Sequence, residues 1–443
     1  MRIVFDMVMN HSSAEHPWFK ESRASRNNPK ADWYIWRDKP NNWQSMTGGS
    51  GWHYAKERGQ YYWSSFLPFQ PDLNYRNPEV KKTMLDIVRF WLGKGADGFR
   101  LDIFNVIYKD SEFRDNPFTL KLIPTEDDPS GFFQEAKYTL NLPESFAFAK
   151  EFRSACDEFG EKLSVGEVSG NRQMIRKYLG DETNNGLTLV FDFGMLNFKF
   201  TADYFHNLVR AMEENYPKPF MPVYVFSNHD RTRSLQRLGG DERKAKILAM
   251  FQLTVRGVPC MYYGEEIGMT DARIPFREAL DPMAHKFNFL PRFVFDALGL
   301  LINRDEVRTP MQWNASGNAG FSSAQKTWLK VHPNYVSINV EKEKSAPDSL
   351  LNAVQALQKI RREENALQEG SLELLENLPM NVLGYSRNFG GQKIIVLLNF
   401  GEQSVEFEIE AARLLFKLSE RDGLKEKAVQ VDGLGGVILK ESE

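Results

Sequence analysis

Asp97-Gly98-Phe99-Arg100-Leu101-Asp102 is a short apolar run that closes on an acid, with an arginine two residues before it. On an extended strand, positions two apart share a face. Arg100 and Asp102 therefore point the same way, and an adjacent cation keeps a carboxylate ionised and aimed. Three other segments are built alike: Met1-Arg-Ile-Val-Phe-Asp-Met-Val-Met-Asn-His11, Leu163-Ser-Val-Gly-Glu167 and Val223-Tyr-Val-Phe-Ser-Asn-His-Asp230. Any one is a weak signal, since an aspartate at a strand end is more often a helix cap or a loop acceptor. In this order and spacing they set Asp102, Glu167, Asp230, Arg100, His11 and His229 at strand ends. A barrel needs that placement to bring two working carboxylates and their helpers around one sugar ring.

Short apolar runs without alternation mark buried strands of a parallel sheet. Residues 3–8, 98–101, 163–165, 187–193, 223–226 and 258–263 fit. Between them lie helical patterns. Val80, Met84, Ile87, Val88, Trp91 and Leu92 fall on one face at 3.6-residue spacing, Pro78 suits a first helical turn, and Gly93 and Gly95 stop the run. Strand–helix alternation predicts an α/β fold with a parallel sheet. Residues 12–76 break the rhythm, being rich in Trp, Asn, Pro and Gly; they read as an inserted subdomain leaving one strand end. A second excursion covers 268–345, and a helix covers 349–364 with Leu350, Leu351, Val354, Leu357 and Ile360 as its stripe. Val405, Phe407 and Ile409 then alternate with Glu406, Glu408 and Glu410, a half-buried antiparallel strand, and 393–400 is another. The expected division is a catalytic domain over 1–367 and an all-β domain over 368–443.

The chain has 443 residues, 42% of them hydrophobic, which is enough for more than one core. A net charge of −3 gives no basic surplus to draw nucleic acid or an anionic membrane. No run of eighteen apolar residues is present, so no membrane span is expected. Two cysteines, Cys156 and Cys260, are far apart in sequence and outside metal spacing. That excludes a disulfide framework and favours a reducing, cytoplasmic compartment. No signal peptide is read at the start, and Ile3-Val4-Phe5 reads as a buried strand. Most aromatics are expected in cores, but Tyr61, Tyr62, Trp63, Phe66 and Phe69 could also stack on sugar faces.

Retaining glycoside hydrolysis asks for a nucleophile and a general acid/base about 5–5.5 Å apart. Asp102, with Arg100 beside it, suits the first role. Glu167 ends its strand with no cationic neighbour in sequence, which suits a proton donor. Asp230 could bind substrate hydroxyls. Asp6 reads as a brace for the barrel.

At these residues the chain resembles the α-amylase family of glycoside hydrolases (family thirteen): the four segments are similar to its signature regions, and Gln70-Pro-Asp-Leu-Asn74 is similar to an additional segment of its oligo-1,6-glucosidase branch. The resemblance spans nearly the whole chain. It implies a (β/α)8 TIM barrel with a protruding subdomain and a C-terminal β-sandwich, acting with retention through a covalent glycosyl-enzyme. It makes Asp102 the nucleophile, Glu167 the general acid/base and Asp230 the transition-state stabiliser. Arg100 would position Asp102, and His11 and His229 would hydrogen-bond the sugar. Arg308, in Arg-Thr-Pro-Met-Gln-Trp, resembles a substrate-lining arginine. Endo-acting amylases carry Lys and His three and four residues after the nucleophile; here stand Asn105 and Val106. Asp102-Ile-Phe-Asn105 is closer to the Asp-Val-Ile-Asn of oligo-1,6-glucosidases, where a β-branched aliphatic goes with α-1,6 linkages and threonine with α-1,4. Ile103 is bulkier than valine and leaves linkage open. The expected activity is exo-acting hydrolysis of short α-linked gluco-oligosaccharides, with no cofactor or metal; the oligomeric state is not legible.

One departure stands out. The family's first signature normally lies on the third barrel strand, and here it is the first ten residues. The resemblance thus implies an incomplete barrel lacking its first two βα units, their calcium-type loop and the sugar-lining tyrosine and aspartate, with open strand edges. Such a chain is expected to be poorly stable and weakly active. Rival readings are a transglycosylase or an isomerase acting on trehalose or sucrose, an endo-acting amylase, a non-catalytic binding relative, which the three acids argue against, and a metal hydrolase built on Asp6, His11, His229 and Asp230, which lacks a compact ligand motif.

Overall fold

Gly98–Asp102 forms the second strand of a four-stranded parallel sheet ordered Val4–Val8, Gly98–Asp102, Leu163–Gly166, Leu189–Val190. The computed structural model describes residues 1–289, 291–408, 412–425 and 428–441. They divide into two units, 1–194 with 214–223 and 195–213 with 224–443. In the first unit the register sets Asp6 beside Arg100, Val8 beside Asp102 and Arg100 beside Val165. Gly98 is required by the pairing, because a Cβ there would run into the Leu163 carbonyl.

The crossover helices follow from their ends and stripes. Asn77 accepts from the Glu79 amide and Pro78 opens Pro78–Gly93, which buries Val80, Met84, Val88 and Leu92. Trp91, expected on that face, is 41% exposed and meets the Phe5 ring edge-on. Pro143–Asp157 buries Phe148 and Phe152, and Phe104 stacks on Phe148, so the segment after Asp102 is clamped to this helix.

Ile3-Val4-Phe5, read as buried, is not: Ile3 is 52% exposed, Val4 37%, Phe5 39% and Val8 41%. The strand forms, but it pairs only with Gly98–Asp102 among the described residues, so the apolar run settled its conformation and not its burial. The 12–76 excursion contains the helix Pro17–Ala24 and a small antiparallel sheet of Trp36–Arg37, Gln60–Trp63 and Trp52–Ala55. Ile35, Trp43, Trp52 and Trp63 form its core, so Trp63 is a packing residue.

The strands Val223–Val225 and Val258–Cys260 pair with each other, and the second unit takes most of the helix Ala202–Asn215 and all of the helices Glu242–Thr254 and Leu350–Glu363. Ser349 caps Leu350–Glu363, which buries Leu350, Leu351, Val354 and Leu357 as expected, while Ile360 is half-buried. Parallel strands with intervening helices make a partial (β/α)8-like core, and antiparallel sheets follow it. One runs Ser371–Leu374, Val382–Phe389, Gln392–Asn399, Gly436–Glu441, Ala412–Lys417; the other runs Val405–Glu408, Ala428–Val431, Gly423–Lys425. Val405 and Phe407 pack inward while Glu406 and Glu408 are exposed; Ile409 and Glu410 lie outside the described residues. Two expected strands shorten, 187–193 to Leu189–Val190 and 258–263 to Val258–Cys260. Among the described residues no helix is long and apolar enough to cross a membrane.

Candidate active site

The strand ends of the first unit bring His11, Arg100, Asp102 and Glu167 together. Arg100 Nη1 donates to Asp102 Oδ1 at 2.7 Å and to Asp6 Oδ1 at 2.8 Å, while Nη2 donates to Glu167 Oε2. A guanidinium has five N–H donors in a fixed fork, so one residue can serve three carboxylates. The backbone fixes the same neighbours. The Glu167 amide donates to the Leu101 carbonyl at 2.8 Å and the Phe104 amide to the Glu167 carbonyl at 2.9 Å, so the turn after Asp102 straddles Glu167. Ile103, inside that turn, sits in the left-handed region at φ 40° and ψ 52°. A β-branched residue rarely goes there and stays only where its surroundings hold it.

No cation neighbours Glu167 in sequence, yet the fold delivers Arg100 to it, because Arg100 and Val165 are register partners. The Arg100–Asp102 contact follows from strand alternation alone.

His11 meets the side-chain amides of Gln70 at 3.0 Å and Asn10 at 3.4 Å, and its ring lies 5.7 Å from Phe66. Burial lowers its pKa and Lys109 lowers it further, against the opposing charges of Asp72 and Asp102. The ring is therefore a neutral hydrogen-bonding group at neutral pH. Behind it Lys109, fully buried, pairs with Asp72 and donates to Asn10 Oδ1 at 2.7 Å.

In the second unit, His229, Asp230 and Arg308 come together. Arg308 Nη2 donates to Asp230 Oδ1 at 2.6 Å, Arg308 Nε donates to the His229 carbonyl at 2.8 Å, and His229 Nε2 lies 3.4 Å from Asp230 Oδ2. Arg304 is a partner the sequence reading missed. Its Nη1 reaches the same Asp230 Oδ1 at 3.1 Å, and Asp281 holds the rest of its guanidinium at 2.7 and 2.9 Å. No local signal marked it, because Asp230 lies 74 residues away along the chain. Burial alone would raise the Asp230 carboxyl; His229, Arg304 and Arg308 together outweigh it and hold the group below the ordinary carboxylate range.

Of the four groups considered for metal chemistry, Asp6 is engaged by Arg100 and Asp230 by Arg304 and Arg308. Among the described residues no three His, Cys, Asp or Glu side chains are grouped to hold a metal ion.

Comparison with known proteins agrees with this chemistry. The family description "Alpha amylase, catalytic domain" matches residues 1–370. A probable alpha-glucosidase of Rhizobium meliloti is 35% identical over 438 residues, covering 94% of this chain and 76% of that protein. An oligo-1,6-glucosidase of Parageobacillus thermoglucosidasius is 32% identical over 452 residues, covering 95% and 78%. The crystal structure of an alpha-glucosyl transfer enzyme, XgtA, superimposes with a TM-score of 0.87 at 31% identity, over 100% of this chain and 83% of that one. Strand-end acids, the arginine that joins them and these likenesses over nearly the full chain together mean that the protein belongs to the α-amylase family of glycoside hydrolases, in its oligo-1,6-glucosidase and α-glucosidase branch.

Proposed function

We propose that Asp102 and Glu167 carry out a double displacement at the anomeric carbon of a terminal α-glucosyl unit. The chain's activity is that of a retaining, exo-acting α-glucoside hydrolase. Asp102 attacks the anomeric carbon and forms the glycosyl-enzyme, while Glu167 gives a proton to the departing oxygen. Glu167 then takes a proton from water, which attacks the same carbon and releases glucose with its configuration kept. The observation that carries this assignment is the Arg100 guanidinium, whose Nη1 binds Asp102 and whose Nη2 binds Glu167. Two carboxylates on one guanidinium suit the short separation of a retaining pair better than the wider gap of an inverting pair. On entry of the sugar, Glu167 exchanges its contact with Arg100 for the glycosidic oxygen. Asp230 stabilises the developing positive charge and grips ring hydroxyls, with Arg308 fixing its carboxylate. His11 and His229 donate to or accept from sugar hydroxyls.

Maltose, isomaltose, trehalose and sucrose, followed by proton NMR, test the reading. Expected are release of α-glucose as the first-formed anomer and loss of turnover in Asp102→Asn with sugar binding kept. First-formed β-glucose, or parental turnover in Asp102→Asn, would sink it. The likeness to an alpha-glucosyl transfer enzyme favours a second reading, in which another sugar replaces water in the second step; new disaccharides accumulating at high substrate would identify it.

Short gluco-oligosaccharides are the proposed substrates and the cytoplasm the proposed compartment, supported by Cys156 and Cys260 being free thiols. Recovery of the native protein in a membrane or secreted fraction contradicts the latter. The division at residue 367 is likewise proposed, supported by antiparallel strands that begin at Ser371; limited proteolysis that cuts elsewhere first would move it.

A further inference from the structure

We propose that Glu265 is a positioning residue for Asp230, tying together the two ends of the loop that carries it. The proposal rests on the reading of Asp230 as the transition-state stabiliser.

Asp230 lies on a turn between the strand Val223–Val225 and the helix Ser234–Arg237, with no ladder to hold it. Within the loop its amide donates to Asn228 Oδ1 at 3.0 Å, and from outside the loop Arg304 and Arg308 hold its carboxylate. Where the backbone presents that carboxylate to the two arginines is set by how the base of the loop is closed.

One carboxylate closes it. Ser227, at the strand side, and Ser234, at the helix side, each donate their hydroxyl to Glu265 Oε1 at 2.6 Å. The Ser234 amide donates to Ser227 Oγ at 2.7 Å, so the two ends also touch each other. Glu265 Oε2 accepts from the Tyr262 amide at 2.7 Å, which anchors the carboxylate to the segment after the strand Val258–Cys260. Both serines are buried, and each bond in the set runs from a hydroxyl or amide donor to an oxygen acceptor. Arg233 adds a second tie from the same loop. Its amide donates to Asp271 Oδ1 at 2.9 Å, and its guanidinium reaches the carbonyls of Tyr263 at 2.6 Å and Val307 at 2.8 Å, next to Arg308. Glu265 itself is turned toward the loop by Gly264, at φ 83°, a left-handed position in which a Cβ would meet Met269.

The oxygen of Asp230 must sit where charge develops, and a small misplacement costs rate rather than binding. Deleting the clamp should thus lower kcat with little change in KM. The test is steady-state kinetics on p-nitrophenyl α-glucoside, at a temperature below the melting point of every variant. Glu265→Ala is expected to lose about 10- to 100-fold in kcat with KM within about threefold. Glu265→Gln keeps an oxygen for both serines and is expected to recover most of the rate. In the Asp230→Asn background, Glu265→Ala is expected to cost nothing further, because it acts through the group already removed. A parental kcat in Glu265→Ala, whatever its melting temperature, overturns the proposal. So does an equal fractional loss in both backgrounds. If Asp230→Asn itself keeps parental kcat, the reading of Asp230 falls, and the proposal with it, by a separately visible result. Should Glu265→Ala not fold, Ser234→Ala, which deletes one contact, and Ser227→Ala, which deletes two, carry the same comparison.

Discussion

Replacing Arg100 by methionine should disable the enzyme without unfolding it. The guanidinium serves Asp102 and Glu167 at a place where the three side chains are 17%, 22% and 12% exposed, whereas Asp6, at 61%, is largely screened by water. Hydrogen bonds between charged groups contribute about 1.5–3 kcal/mol each. Only the bond to Asp102 persists once Glu167 has turned to the glycosidic oxygen. At 1.36 kcal/mol per tenfold, its removal is roughly a 10- to 150-fold loss in kcat/KM. Arg100→Lys restores a charge but not a fork, so it should recover only part of that loss. The assay is kcat/KM on p-nitrophenyl α-glucoside, with circular dichroism and a thermal melt to confirm an intact fold. An Arg100→Met variant within threefold of the parent would refute the reasoning, and so would Arg100→Lys at full activity.

Asp6→Asn, which removes the screened partner of Arg100, should change kcat/KM by less than about fivefold; a loss as large as that of Arg100→Met would show that Asp6 does more than share the guanidinium. Lys109→Met strands the Asp72 carboxylate in a fully buried place and should destabilise the fold by about 3–5 kcal/mol, read by urea unfolding; an unchanged midpoint would contradict that. Arg308→Gln should shift the acid side of the pH profile. The Asp230 carboxyl is held below its ordinary value, so its contribution is present above the unfolded value and is lost as pH falls through the folded one. Removing Arg308 lifts Asp230 toward the ordinary range, and both melting temperature and kcat/KM should then fall away at a higher pH than in the parent. An acid limb that stays in place would show that Arg304 and His229 suffice.

The strand-borne part of the site could be read from sequence because it depends on short-range geometry. Arg100 and Asp102 share a strand face by alternation, Pro78 starts a helix through one turn of backbone, and Val405 to Glu408 alternate because one face of the sheet is wet. Contacts across strands and loops were another matter. Glu167 looked free of cations, and Arg100 reaches it through sheet register. Arg304 and Glu265 were invisible because their partners lie 74 residues away at Asp230, and 38 and 31 away at Ser227 and Ser234. The apolar run at Ile3–Val8 announced a strand but not its exposure, since burial depends on which neighbours pair with it.

By itself, then, the amino-acid sequence determined which side chains stand at strand ends and which chemistry they belong to, since covalent spacing and backbone periodicity suffice for that. Tertiary structure alone decided which carboxylates share a guanidinium and which buried ones hold a loop in place. Those partnerships form only where segments distant along the chain are brought within hydrogen-bonding reach.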